Sequence, residues 1–390
     1  MPQNDFLPFA TGAGANVENQ ASYAADPSTA AGFAAGIAQS QKLNKVWRQS
    51  SFVAAGVAQF IMNQAGIDVL DDGDLTGFVT KLTEALLDLN PREVLQQATT
   101  YYVNNTTGSD TFDGLTSTTA WKTLQQAATY LMSKIDANGR LITVQVADGS
   151  YAGFALTAPI LGTEFGIPVT FQGNVANPGN CQLTGPPIAP PGIDPLGFPT
   201  GATVICSNLA RLNIQGFRIL NNSGNGHGAA TGLFGRLRFQ NIDFGTIVSQ
   251  TAVITPGFGI PVFAHIWCSS WARVRSLQNY SISGPAYWHV ECDTYGNFLN
   301  TPSSSSTPNT ITITGNPAFG GAFCWATEYG EIDWTGGVVA PMLPVFVGSA
   351  TGSRYHADHY GSILTSAQPV TFLPGNAAGS IDSATYGLYS

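Results

Sequence analysis

The chain has 390 residues and a formal net charge of −9, and only 10% of its residues are charged, well under the roughly 25% of ordinary soluble domains. With 15 Lys and Arg against 24 Asp and Glu, the balance argues against a nucleic-acid partner, whose phosphates need basic side chains. No apolar run approaches the roughly 18 residues of a membrane span, and Met1-Pro-Gln-Asn-Asp-Phe lacks the basic stretch and apolar core of a secretory signal.

In chain order, residues 1–30 are rich in Ala, Gly, Asn, Ser and Pro and read as extended. From 28 to 66, Phe33, Ile37, Leu43, Val46, Trp47, Phe52, Val57, Phe60 and Ile61 recur at helical spacing, with Gly66 as a stop and a break allowed near Gln49-Ser-Ser. Residues 75–89 predict a second amphipathic helix. Asp71-Asp-Gly-Asp before it reads as a capping turn, because the downstream ligands of a calcium loop are missing. These helices are too few to bury their own apolar faces, which points to an oligomer. Residues 90–100 read as a linker, Tyr101-Tyr-Val-Asn as a strand, Gly108-Ser-Asp-Thr-Phe-Asp-Gly as a turn and 119–135 as a helix. Strands resume at Leu141 and Val169. Seven prolines in 176–203 predict a long surface loop, and Thr301-Pro-Ser-Ser-Ser-Ser-Thr-Pro-Asn a second insertion. The glycine-rich stretch after Leu373 is expected to leave the fold.

Residues 205–364 carry a repeat: large apolar, small, variable, apolar, variable. Its copies begin at Leu209, Phe234, Trp271, Tyr295, Tyr329 and Tyr360, 24–37 residues apart, which suggests a solenoid with one coil per copy. Period-two alternation makes the coil strand-built. Leu212, Leu237, Val274, Phe298, Ile332 and Ile363 would stack into one apolar column at about 4.8 Å per coil. Cys206, Cys268 and Cys292 share the inward register, so all five cysteines read as reduced packing residues. The predicted fold class is mainly β, a right-handed parallel β-helix after a small helical region, with a chance-similar β-sandwich as the alternative.

Pro2-Gln-Asn-Asp-Phe-Leu-Pro-Phe-Ala, Gln41-Lys-Leu-Asn-Lys-Val-Trp-Arg-Gln-Ser and Val69-Leu-Asp-Asp-Gly resemble the virion-binding region of bacteriophage tail fibre and tailspike proteins. Tyr102-Val-Asn, Gly108-Ser-Asp, Asp113-Gly-Leu and Trp121-Lys-Thr-Leu-Gln-Gln-Ala resemble the start of the pectate-lyase-like β-helix of phage receptor-binding proteins, where a helix plugs the first coil. The resemblance implies a homotrimer in the phage tail, made in the host cytoplasm. Residues 1–95 would attach it to the tail or baseplate, with the contact itself in 1–90. Residues 96–372 would form the β-helix, presented to host polysaccharide or lipopolysaccharide, and 373–390 a tail. It does not imply catalysis.

Alternation in Tyr287-Trp-His-Val-Glu-Cys-Asp places Trp288, Val290 and Cys292 inward and His289, Glu291 and Asp293 outward. Glu331 and Asp333 would face outward on a later coil. Stacked coils could then bring these carboxylates to the roughly 5–9.5 Å separation of a glycosidase pair. Glu291, Asp293, Glu331 and Asp333 are therefore the catalytic candidates. His265 and Trp267 match His289 and Glu291 in register, one coil earlier, and His265, Trp267, His289 and Arg273 are the glycan-binding ones, an indole being suited to packing on a sugar ring. The two functional readings are a glycan-binding attachment protein and, alternatively, a polysaccharide depolymerase acting as glycosidase or lyase. Outward polar residues on any solenoid, an Arg ladder at Arg211, Arg236 and Arg273 balancing acids, or a trimer interface would look the same. His356, Asp358 and His359 are clustered, but alternation splits them; no metal and no cofactor are expected.

Overall fold

The computed structural model describes residues 2–89, 92–163, 169–186, 201–224, 226–249, 263–302, 307–336 and 341–390. The chain divides into two compact units, Met1–Arg92 and Glu93–Ser390.

In the first unit the main helix is Ser40–Ala65 and runs unbroken through Gln49-Ser-Ser. Residues 28–31 form a separate short helix, because Gly32 and Gly36 interrupt the expected 28–66 run with φ of 75° and 156°. Gly66 ends the long helix in the left-handed conformation, its N–H donating to the Met62 carbonyl. In the second helix, Leu75–Leu89, the Asp74 carboxylate accepts from the Gly77 N–H at 3.0 Å, which is the capping role expected of that acidic turn. Ala58, Ile61, Val69 and Ala85 form the buried core between them. Trp47, Phe52, Val53 and Val79 remain exposed.

The second unit is mainly β. Among the described residues its large sheets are all parallel and contain 10, 7 and 8 strands. The chain visits them in turn. One pass runs Arg236–Gln240 in the first sheet, Asp243–Ile247 in the second and Ala264–Cys268 in the third. The next runs Arg273–Ser276, Tyr280–Ile282 and Ala286–Cys292. Each strand pairs with its counterpart one pass away, so the arrangement is solenoid-like. The expected inward column forms in register: Leu212, Leu237, Val274, Phe298, Ile332 and Ile363 are consecutive partners in the first sheet, all buried in one core.

The helix before the strands is Leu124–Lys134, shorter than the expected 119–135. Thr123 caps it by accepting from the Gln126 N–H. Asp110 in turn accepts from the Lys122 and Thr123 N–H groups and the Thr123 hydroxyl. Its buried face, Leu124, Ala127, Ala128 and Leu131, joins the same core as Tyr101, Val103 and Val144. Trp121 stacks on Tyr101 at 5.2 Å, and Gly114 lies under the indole, where a Cβ would come within 2.6 Å of the ring.

Two expectations are corrected. Cys181–Thr184 is a strand of the second sheet rather than part of a 176–203 loop. These four residues contain no proline, and the later prolines of that loop fall mainly in 187–200, outside the described residues. Residues 373–390 do not all leave the fold: Ser380–Ile381 pairs with His356 and Ala357, and Leu388–Tyr389 pairs with Ser362 and Ile363. Two-residue strands are too short to show a period.

Candidate functional site

The strands of the third sheet do not alternate simply. Ile266 and Val290 face the core, and by alternation His265 and His289 should face out. Both histidine rings are instead fully buried, packed against Phe244, Phe319 and Phe323, which belong to the interior. Trp288 instead lies in a separate cluster with Ala264 and Ala322. Two consecutive residues thus point inward at positions 265–266 and 289–290. Such irregularities bend a strand and re-aim its side chains. The assignment of His265 and His289 to a glycan-binding face, and of Trp288 to the interior, is corrected accordingly.

The buried histidines form a chain whose proton positions follow from their neighbours. His265 Nε2 lies 2.9 Å from the Gly245 carbonyl, so it must donate, which leaves Nδ1 as an acceptor. His289 Nδ1, 3.1 Å away, donates to it. His289 Nε2 then accepts from the Tyr280 hydroxyl at 2.9 Å. Every group is satisfied while both rings are neutral, and a proton on either ring removes an acceptor. Burial pushes the His265 pKa down to about 4 and holds His289 well below its ordinary range, with His265 adding to the effect. A depressed folded pKa means that the unfolded chain takes up protons first, near 6.5. This contribution to stability is therefore complete above pH 6.5 and is lost as the pH falls through about 4. Imidazole NMR signals of His265 and His289 should keep their neutral tautomers from pH 7.5 to pH 5. Titration of either ring near pH 6.5 in the folded protein would contradict the chain.

Outward residues of the third sheet form a different surface. Ala230, Trp267, Glu291, Trp325 and His356 are successive partners across its strands. Trp267 is only 8% exposed. Its indole lies parallel to His227 at 5.1 Å, and its N–H donates to Asp293 Oδ2 at 2.9 Å, so it is a wall rather than an open platform. Glu291 is 7% exposed. Burial, with Asp293 adding to it, holds its carboxyl well above the usual carboxylate range. Burial also raises Asp293. Trp325 packs against Trp288 at 4.8 Å, and Trp288 against Tyr287. Glu291 Oε2, Asp293 Oδ1 and the indole N–H groups of Trp288 and Trp325 are buried without a hydrogen-bond partner among the described residues.

The four carboxylates do not form one constellation. Glu331 and Asp333 belong to the first sheet. There Glu331 accepts from the Asn297 amide at 2.6 Å, and Asp333 accepts from Thr335. Arg273 is exposed on that same sheet, between Arg236 and Asn297 in register. At the C-terminal cluster, Asp358 accepts from His356 Nε2 at 3.0 Å, while His356 Nδ1 is engaged by Ser380. All five cysteines are free and buried.

A feature that strand reasoning missed is the first position of the repeat. Phe234, Trp271, Tyr295, Tyr329, Tyr360 and Tyr386 are exposed and stack in sequence at 4.8–5.7 Å, with ring planes within 15°. Each sits at the turn into the first sheet with φ between 56° and 64°, a conformation that costs about 1–2 kcal/mol for a residue with a Cβ. The next residue is small for a steric reason. A Cβ at Gly296, Gly330 or Gly361 would lie 2.0–2.1 Å from the carbonyl oxygen of the previous pass. The signal was present as an aromatic at five of the six aligned copies.

No protein-family model matches the sequence, and no curated protein matches it. Among solved structures, Escherichia coli YbhC is similar with a TM-score of 0.32 and 13% identity, over 70% of this chain and 75% of that one. A GH136 lacto-N-biosidase from Eubacterium ramulus gives 0.23 and 10% in its native crystal, over 82% of this chain and 58% of that one. Its selenomethionine derivative gives 0.24 and 9%, over 88% and 73%. Neither similarity bears on function.

Proposed function

We propose that this chain is a tail fibre or short tailspike component of a bacteriophage, attaching the virion to a glycan of the host surface. In this reading Glu93–Ser390 is a right-handed parallel β-helix, the chain is a homotrimer, and residues 1–90 bind the phage tail. The phage-like blocks at Pro2, Gln41, Val69 and Trp121 support the virion assignment, and the exposed Trp47, Phe52 and Val53 of the first unit support self-association.

The observation that carries glycan binding is the set of unpartnered polar atoms among tryptophans on the third sheet: Glu291 Oε2, Asp293 Oδ1 and the Trp288 and Trp325 indole N–H groups. Buried polar groups are otherwise nearly always paired. A sugar offers hydroxyls that donate and accept, with apolar C–H faces that pack on indole. Labelled protein applied to an array of neutral bacterial surface polysaccharides should bind a subset, and Trp325→Ala should weaken that binding at least about tenfold, the loss of roughly one good contact. Absence of binding to every glycan, or binding unaffected by Trp325→Ala, would defeat the assignment. A sedimentation mass equal to the 40.9 kDa chain would defeat the trimer.

Depolymerisation is the second reading, favoured by Glu291: a carboxyl whose pKa burial holds well above the usual carboxylate range is what a general acid needs. Release of reducing ends or unsaturated sugars that vanishes in Glu291→Gln would establish it.

A further inference from the structure

The outer face of the first sheet carries an unusual concentration of positive charge. Arg211, Arg236 and Arg273 are consecutive partners in one column, and Arg238 and Arg275 are partners in the next. These are five of the chain's 15 basic residues, gathered on three adjacent strands of a molecule whose net charge is −9. Strand spacing sets successive arginines of one column about 4.8 Å apart, and the guanidiniums repel one another. The pKa of Arg236 is lowered, first by burial and then by Arg211, Arg273 and Arg238. Arg275 responds in the same way to burial and to Arg273, Arg238 and Arg236, and its Nε is buried without a partner. The next outward column is a ladder of side-chain amides, Gln172, Gln215 and Gln240, hydrogen-bonded one to the next. The aromatic rail lies two residues before the first arginine column, as in Phe234-Gly235-Arg236 and Trp271-Ala272-Arg273.

We propose that this face binds a linear acidic polysaccharide laid along the stacking direction, its repeated carboxylates or sulfates held by the arginine columns. The proposal rests on the reading of the chain as a glycan-binding protein and adds to it a second site, for an anionic polymer, on a sheet other than the one bearing Glu291. Repetition at each strand suits a ligand that repeats one charge per sugar unit, and guanidinium forks suit oxyanions. The rail decides against single-stranded nucleic acid. Bases bind by stacking on open aromatic faces, whereas here successive rings lie within 15° of parallel and cover one another's faces. Ring edges remain as an apolar wall along the strip. A second copy docking through the same patch would bring like-charged columns together, which is unfavourable.

The test uses the full chain in native gels containing either polygalacturonate or neutral dextran. Migration should be retarded by polygalacturonate and not by dextran. Retardation should weaken about tenfold in Arg236→Gln/Arg273→Gln, the equivalent of one lost charge-assisted contact, and fade as salt is raised toward about 1 M. Unchanged circular dichroism and melting temperature would show that the variant is folded. Equal mobility in both gels, or retardation unaffected by the double substitution, overturns the proposal. So does equal retention on single-stranded DNA, or a change in sedimentation mass of the double variant, which would mark the strip as a contact between copies. Trp325→Ala should be retarded like the unaltered chain. Retardation by polygalacturonate that survives while array binding is lost in Trp325→Ala separates the two surfaces, so either reading can fail alone.

Discussion

Replacing Phe298 with alanine should destabilise the second unit by about 3–5 kcal/mol, the usual cost of removing a large buried aromatic. Phe298 is fully buried. It lies in the inward column between Val274 and Ile332 and packs on Trp334 at 5.0 Å and Phe239 at 6.5 Å. In a stacked architecture each pass contacts only its neighbours, so the void cannot be filled by distant rearrangement. Urea unfolding of the full chain, followed at indole wavelengths, measures the loss. A cost below about 1 kcal/mol would mean that the interior is not close-packed around this ring. Tyr295→Ala provides the contrast. Tyr295 is exposed, with stacked neighbours at 5.0 and 4.9 Å, so its removal should cost only about 0.5–1.5 kcal/mol per ring contact.

Glu291→Gln should make the protein more stable at pH 8, by about 1–3 kcal/mol, the scale of an unsatisfied buried polar group. Burial raises the folded-state pKa of Glu291, and Asp293 adds to the shift. The unfolded chain therefore releases this proton first, near pH 4.3. Stability contributed by the protonated acid is fully present below that value and is lost as the pH rises through the raised folded pKa. Glutamine has the same shape and cannot ionise, so it removes the loss. At pH 4 the two proteins should be equally stable, because both then carry a neutral side chain. Denaturation midpoints at pH 4 and pH 8 test this. A variant no more stable than the parent at pH 8 would show that Glu291 is ionised there and supported by a partner.

The candidate site was legible in part. Trp267 and Glu291 were expected to share a face one coil apart, and they are register partners. That inference used only repeat spacing, which parallel pairing preserves. Placing His265 and His289 beside them failed because period-two reasoning assumes a regular strand. Two consecutive inward residues at 265–266 and again at 289–290 break the period, with no proline or glycine at the histidines to announce it. Glu331 and Asp333 were grouped with Glu291 because alternation assigns inward or outward but does not say which of three sheets a strand belongs to. Trp288 and Trp325 were missed for the same reasons. Trp288 stood on the wrong side of a simple alternation, and Trp325 enters the face only through pairing with Glu291.

The sequence by itself determined the inward column, from Leu212 to Ile363, and the parallel stacking of the passes. It could do so because apolar burial repeats with the chain, and the repeat is written in residue types. It also determined the Gly66 stop, the Asp74 cap and the reduced cysteines, each of which depends on local chemistry. The tertiary structure alone decided which outward residues meet. The neutral Tyr280–His289–His265 chain closes on the carbonyl of Gly245, a backbone group with no signature in sequence. The aromatic rail and the paired arginine columns exist only because successive passes lie in register. Spacings of 24–37 residues between copies become a single strand separation in the pairing register.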